Sequence, residues 1–204
     1  MKATQPIVYV VDDDASVRKG LSRLLRSAGR RVITFEDPNV FLETERDKGP
    51  ACLVLDMMLP GLTGLDVQAK LKPMSSHLPI IFITGHGTVP ASVQALKEGA
   101  ADFLEKPFDD DVLLAAIDTA LKNHMNVLAD DHEIEEARKN HATLTSRERE
   151  VMTLTVKGLR NKEIADLLEI AEKTVKVHRG RVMQKMRADS LADLVRTAER
   201  SSLA

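Results

Sequence analysis

Five short apolar runs, each followed by a stretch of helical spacing, do most to limit the folds open to this chain. They are IVYVV from residue 7, RVITF from 31, CLVLD from 52, IIFIT from 80 and ADFLE from 101. The apolar residues run on rather than alternating with polar ones, as in strands of a parallel sheet covered by helices on both faces. The segments between them carry helical patterns: Val17, Leu21, Leu24 and Leu25; Leu65, Ala69 and Leu71; Val93, Leu96 and Lys97. Another follows the fifth run, from Asp109, with Val112, Leu113, Ala116, Ile117, Ala120 and Leu121. Glycines at 29, 85, 87 and 99 punctuate the pattern. It predicts a doubly wound α/β domain of five parallel strands, whose ligands lie at the carboxyl ends of those strands.

At 204 residues there is room for a second domain, and the charge distribution points to one. Residues 1–122 carry a net −3, 123–142 another −3, and 143–204 a net +4. A basic C-terminal part suits a polyanion. That part reads as all helix. Thr145 and Glu148 are spaced as a capping box ahead of Val151 and Leu154, with Gly158 as the stop. Asn161 is placed to cap a second helix with Ile164, Ala165 and Leu168 inward. A third runs from about Glu172 to Met186, and Ser190 caps a fourth. Between the two parts, residues 123–142 contain no Gly or Pro and place Glu135 and Lys139 at i,i+4, so helix can continue through them; their crowded carboxylates fit a polar linker as well.

No stretch has the apolar length of a membrane span, and the N-terminus lacks the cleavage region of a signal peptide, which predicts a cytoplasmic protein. Cys52, the one cysteine, opens an apolar run and reads as a packed thiol. His86, His132, His141 and His178 lack metal-ligand spacing.

The candidate chemistry sits at the strand ends. If the first and third strands are neighbours, Asp12 and Asp13 converge with Asp56, an all-oxygen set suited to a hard dication. Thr84 ends the fourth run and Lys106 follows the fifth. Singly, each has a plain structural role: the aspartates and Thr84 as helix caps, Lys106 as a surface or carboxylate-paired lysine. Together, a carboxylate, a hydroxyl and an ammonium beside a divalent ion are what a transferred phosphoryl group needs, with Asp56 as nucleophile.

With VVDDD, LVLDMMLPG, FITGHG and EKPF in that order, residues 5–122 resemble the receiver domain of a two-component response regulator. The resemblance implies a flavodoxin-like five-stranded sheet and phosphorylation of Asp56 by a sensor histidine kinase. It also implies Mg2+ or Mn2+ held by Asp13, Asp56 and the backbone carbonyl of Met58 with Asp12 assisting, phosphoryl contacts from Thr84 and Lys106, and a cis Lys106–Pro107 peptide. Thr84 and Phe103 take the family's switch positions, Phe103 being from packing alone a core residue of the last strand. Asp14 is left to start the first helix.

Residues 172–187, EKTVKVHRGRVMQKMR, hold six basic groups and one acidic. A charge run on a helix is ordinarily a solvated face, but here a short helix and a tight turn precede it, the order of a helix-turn-helix. Val175, Val182 and Met186 fall inward, whereas Lys173, Lys176, Val177 and Arg181 face out, toward phosphates, guanines or a thymine methyl. LTSREREV, GLRNKEIADLLEI and TVKVHRGRVMQKM are similar to the LuxR-type DNA-binding domain of the FixJ and NarL regulators. This implies a four-helix domain over 143–204 that reads duplex DNA as a dimer, with Lys176 and Val177 at base edges, Lys173, Arg179, Arg181 and Lys185 mainly on phosphates, and Thr174 among the DNA-binding residues. Ala171 stands where relatives often place a capping Ser, and Gly180 where some present a lysine. All six aromatics (Tyr9, Phe35, Phe41, Phe82, Phe103 and Phe108) lie in the first domain, leaving none to stack single-stranded bases in the second.

These resemblances imply a transcriptional regulator that dimerises on phosphorylation, acts on promoter DNA with RNA polymerase as a further contact, and is no enzyme beyond its own phosphorylation and dephosphorylation. A haloacid-dehalogenase-type phosphatase also uses an aspartate after a strand but needs a second acid two residues on, where this chain has Met58. The remaining alternative is an unphosphorylated receiver-like interaction module whose helix-turn-helix binds DNA constitutively.

Overall fold

The computed structural model of the protein describes residues 5–72, 77–85 and 89–203; His86 and Gly87, noted above, lie outside them. The chain divides into two compact units after Leu128. The first is built from β1 (Ile7–Val11), α1 (Ala15–Ser27), β2 (Arg31–Phe35), α2 (Pro38–Glu43), β3 (Ala51–Asp56), α3 (Gly64–Leu71), β4 (Ile80–Thr84), α4 (Val89–Lys97) and β5 (Asp102–Glu105). α5 (Asp110–Ala142) begins in this unit and continues as helix through residues 123–142.

All strands are parallel, in the order β2-β1-β3-β4-β5. The three central strands are buried at every position, which explains their unbroken apolar runs: alternate residues meet a different helical layer. Ile7, Tyr9, Val11, Leu53, Leu55 and Phe82 pack with Phe41 of α2, Val67 of α3 and Ala95 of α4. Val8, Val10, Cys52, Val54, Ile81 and Ile83 pack with Leu21 and Leu25 of α1 and Leu113 and Ile117 of α5. Cys52 is fully buried, and burial pushes its thiol up to about 12, so it stays a neutral core group. His124 of α5 is also buried, its Nδ1 2.8 Å from the Ala51 carbonyl oxygen at the start of β3.

The second unit is helical: α6 (Ser146–Val156), α7 (Asn161–Leu168), α8 (Glu172–Met186) and α9 (Leu191–Arg200), with the last part of α5. Thr145 and Glu148 form the expected capping box on α6, and Ser190 caps α9. The N-terminus of α7 differs from expectation. Arg160 is the N-cap and Asn161 the first helical residue. The Glu163 carboxylate accepts from the Arg160 amide at 2.7 Å, which leaves the Asn161 Oδ1 to accept from Arg179 of α8 at 2.6 Å. Ala171 is the N-cap of α8, with no side-chain bond.

Candidate functional site

β1 and β3 are neighbours, so their C-terminal residues share one edge of the sheet. Val11, the last residue of β1, pairs with Leu55, which places Asp12 beside Asp56. The carboxylates of Asp12, Asp13 and Asp56 each have an oxygen within 4.8 Å of the others. Asp12 and Asp56 are buried and Asp13 is exposed. Asp14 stands apart from this cluster as the N-cap of α1, accepting from the Ser16 amide at 2.7 Å.

Lys106 completes the cluster from across the sheet. Its amide donates to the Thr84 carbonyl at 2.7 Å, which sets the chain after β5 alongside the end of β4, and the peptide to Pro107 is cis. From there its Nζ reaches the Asp12 carboxylate at 2.8 Å and Asp56 at 3.2 Å. The Asp12 Oδ1 accepts from the Asp14 amide at 2.8 Å, so both Asp12 oxygens are directed.

Asp56 and Lys106 shift in different ways within this cluster. Burial pushes the Asp56 carboxyl above its usual range, Lys106 opposes that shift, and the negative charges of Asp12 and Asp13 add to it. Burial disfavours the Lys106 ammonium too, but the hydrogen bond to Asp12 and the charges of Asp12 and Asp56 outweigh it and hold its pKa above the ordinary lysine value. Three carboxylates therefore share one ammonium. Such an oxygen-only cluster with an unbalanced negative charge has the donor chemistry of a hard-cation site.

The other expected site residues fall as follows. Thr84, fully buried, ends β4 one residue beyond Ile83, the partner of Asp56. Met58 is 64% exposed just past β3, its side chain directed away from the core. Phe103 pairs with Phe82 across β4 and β5, their rings 6.4 Å apart, and is only partly buried.

Sequence reading missed two residues at this edge. A Cβ on Gly64 would lie 2.8 Å from the Asp56 carbonyl oxygen and 3.1 Å from the Met57 Cα, so α3 starts against the backbone that carries Asp56 only because residue 64 is glycine. Nothing in the run LPGLTG marks its second glycine as the packed one. Arg18 of α1 donates to the Asp12 carbonyl at 2.7 Å and to the Glu36 carboxylate at 2.8 Å.

On the second unit, the seven basic and neighbouring positions of α8 split into two sets. Lys173, Thr174, Lys176, Val177 and Arg181 are exposed on one side of the helix. Arg179 is turned to Asn161, and Lys185 to the Glu148 carboxylate at 2.7 Å and the Thr143 carbonyl at 3.1 Å. Those two cations are engaged inside the domain rather than presented with the others. Val175, Val182 and Met186 face inward, against Val151 and Ile164 or Met152 and Leu194. No described helix is long and apolar enough to cross a membrane.

Comparison with known proteins agrees with both units. Residues 8–118 match the response regulator receiver domain family, and residues 142–198 the luxR family of bacterial regulatory proteins. Nodulation protein W of Bradyrhizobium diazoefficiens is 46% identical over 197 residues, covering 97% of this chain and 87% of that one. Transcriptional regulatory protein FixJ of the same organism is 42% identical over 200 residues, covering 98% of each. Response regulator protein TodT of Pseudomonas putida is 43% identical over 194 residues, covering 95% of this chain and 86% of its own. Among solved structures, response regulator StyR superposes with a TM-score of 0.85 at 47% identity, covering 97% of this chain and all of that one. The chain belongs to the two-component response regulators, and among them to those that join a receiver domain to a luxR-family helix-turn-helix domain.

Proposed function

We propose that this protein is a phosphorylation-dependent transcriptional regulator in which Asp56 accepts a phosphoryl group from a sensor histidine kinase. The observation that carries the reading is the position of Lys106, whose ammonium lies between Asp12 and Asp56 at the strand ends. In the transfer, an Asp56 oxygen forms a bond to phosphorus as the P–N bond of a phosphohistidine breaks, and the leaving imidazole takes a proton from solvent. Such a transfer is mostly positioning and charge neutralisation. In this reading Lys106 follows negative charge from the carboxylate onto the phosphoryl oxygens, and the Thr84 hydroxyl meets one of them. A divalent ion, Mg2+ or Mn2+, held by Asp12, Asp13, Asp56 and the Met58 carbonyl would neutralise the remaining charge. The protein turns over no other substrate.

The acyl phosphate then biases the receiver between two conformations through Thr84 and Phe103: as Thr84 moves toward the phosphate it leaves space into which the partly buried Phe103 ring turns. The favoured state forms a homodimer, and two copies of α8 contact duplex promoter DNA through Lys173, Thr174, Lys176, Val177 and Arg181. The site of action is the cytoplasm, with RNA polymerase as a further contact.

Mass spectrometry of the full chain after incubation with acetyl phosphate and Mg2+ tests the site: one phosphoryl group per chain, absent in Asp56→Asn and in the presence of a chelator. The same stoichiometry in Asp56→Asn would sink the assignment. Promoter affinity that is equal with and without phosphodonor would favour a constitutive DNA-binding module instead.

A further inference from the structure

Arg18 is a charged side chain only 14% exposed, set against the carboxylate cluster yet bonded to none of its carboxylates. Its Nη1 donates to the backbone carbonyl of Asp12 and its Nη2 to Glu36, the residue that follows β2. The Asp12 amide in turn donates to the Phe35 carbonyl at 3.3 Å. The backbone of Asp12 is thus tied on both sides to the end of β2, once through its N–H and once through its C=O by way of Arg18.

That second tie bears on Asp13. The Asp12 carbonyl and the Asp13 Cα belong to one planar peptide unit, so fixing the carbonyl direction fixes where Asp13 starts. Asp12 has its carboxylate directed by Lys106 and the Asp14 amide. Among the described residues no hydrogen bond holds the Asp13 carboxylate, which is exposed and depends on its backbone to stay within 4.8 Å of Asp12 and Asp56.

We propose that Arg18 is a positioning residue for the divalent-ion site: by bridging the Asp12 carbonyl to Glu36 it aims Asp13 at the ion and so sets ion affinity. This rests on reading the three carboxylates as an ion site. Charge alone would act the other way, because a fixed positive charge beside a cation site weakens binding. The opposing signs make it testable.

Calorimetric titration of the metal-free full chain with Mg2+ separates the two effects. Arg18→Gln and Arg18→Lys are both expected to bind roughly tenfold more weakly than the wild type, as when an outer partner of a metal ligand is removed. A lysine keeps the charge but lacks the fork that spans both acceptors. Phosphorylation by acetyl phosphate should reach the wild-type plateau at a correspondingly higher Mg2+ concentration. Lys19→Gln, which removes an exposed neighbouring cation, should not weaken binding. Tighter binding by Arg18→Gln, or unchanged binding by Arg18→Lys, would overturn the role; Arg18→Lys decides the matter should Arg18→Gln fail to fold. A different result removes the underlying site: wild-type protein that takes up no Mg2+, or takes it up equally after Asp13→Asn, dismisses the ion site and the role of Arg18 with it.

Discussion

The Lys185 ammonium on α8 lies 2.7 Å from the Glu148 carboxylate on α6, which is 3% exposed. The same Glu148 oxygen accepts from the Thr145 amide at 2.8 Å, so one carboxylate closes the start of α6 and anchors the far end of α8. Lys185 is thereby a structural cation on a helix whose other lysines are exposed and can face a ligand.

Replacing Lys185 with Met removes one partner and leaves a buried carboxylate short of a hydrogen bond. A loss of roughly 1–3 kcal/mol in the stability of the DNA-binding unit is expected. Hydrogen exchange of α6 and α8 amides in the full chain reads this unit separately from the receiver. Unchanged protection in Lys185→Met would show that the pair contributes nothing.

Glu148 also gives the second unit an acid-sensitive element. The hydrogen bond from Lys185 and then that from the Thr145 amide hold its carboxyl at about 2, below the 4.5 of an unperturbed glutamate. A carboxyl depressed on folding contributes stability that is complete above the unfolded value and is lost as pH falls from about 4.5 toward about 2. Glu148→Gln should therefore flatten the acid limb of the α6 and α8 exchange profile. NMR titration of the Glu148 side-chain carbon should show a midpoint well below the 4.5 of an unperturbed glutamate.

Gly64 predicts a separation of chemistry from geometry. In Gly64→Ala the new methyl meets backbone at 2.8 and 3.1 Å, which cannot swing aside as the tip of a side chain would. The end of β3 must shift, at a stability loss of roughly 1–3 kcal/mol. Phosphorylation by a small phosphodonor should slow at least several-fold although Asp12, Asp13, Asp56, Thr84 and Lys106 are all present. A wild-type rate with an unaltered melting curve would mean that α3 moves away freely.

How far the sequence reaches follows from which interactions are periodic. Central strands buried on both faces and helices buried on one stripe leave repeats of fixed length, so the sheet, its covering helices and the strand-end aspartates were visible in the run of residues. Contacts made once, outside any repeat, leave no such trace even when the residues are near in sequence: the approach of Gly64 to Asp56 and the reach of Arg18 to the Asp12 carbonyl belong to the folded chain alone. The helix cap placed on Asn161 failed for a related reason, because a distant partner, Arg179, claims that side chain. The two kinds of cation on α8 were partly legible. Arg179 follows the buried Val175 by four residues and Lys185 follows the buried Val182 by three, which puts both on the flank of the core stripe. Lys176 follows Val175 by one and projects away from it.

That difference sets the last prediction. Lys173, Lys176 and Arg181 are exposed on α8 and can neutralise phosphates, while Val177, 48% exposed between them, offers only apolar contact. A cation on a phosphate is sequence-independent and releases counterions, so its removal should weaken binding to all duplexes and lower the salt slope by roughly 0.9 for each phosphate no longer neutralised. Lys173→Ala and Arg181→Ala should behave so. Val177→Ala releases no counterion and should leave the slope unchanged while relaxing discrimination at one base pair by roughly 1 kcal/mol, if the valine meets a thymine methyl. Lys176 is the discriminating case, because Glu172 stands 3.5 Å from its ammonium and competes with a phosphate. Lys176→Ala that changes base preference places it at a base edge; a slope change without altered preference places it on the backbone. Affinity measured across a salt series on operator and scrambled duplexes separates these outcomes, and equal slopes for every variant would remove α8 from the DNA interface.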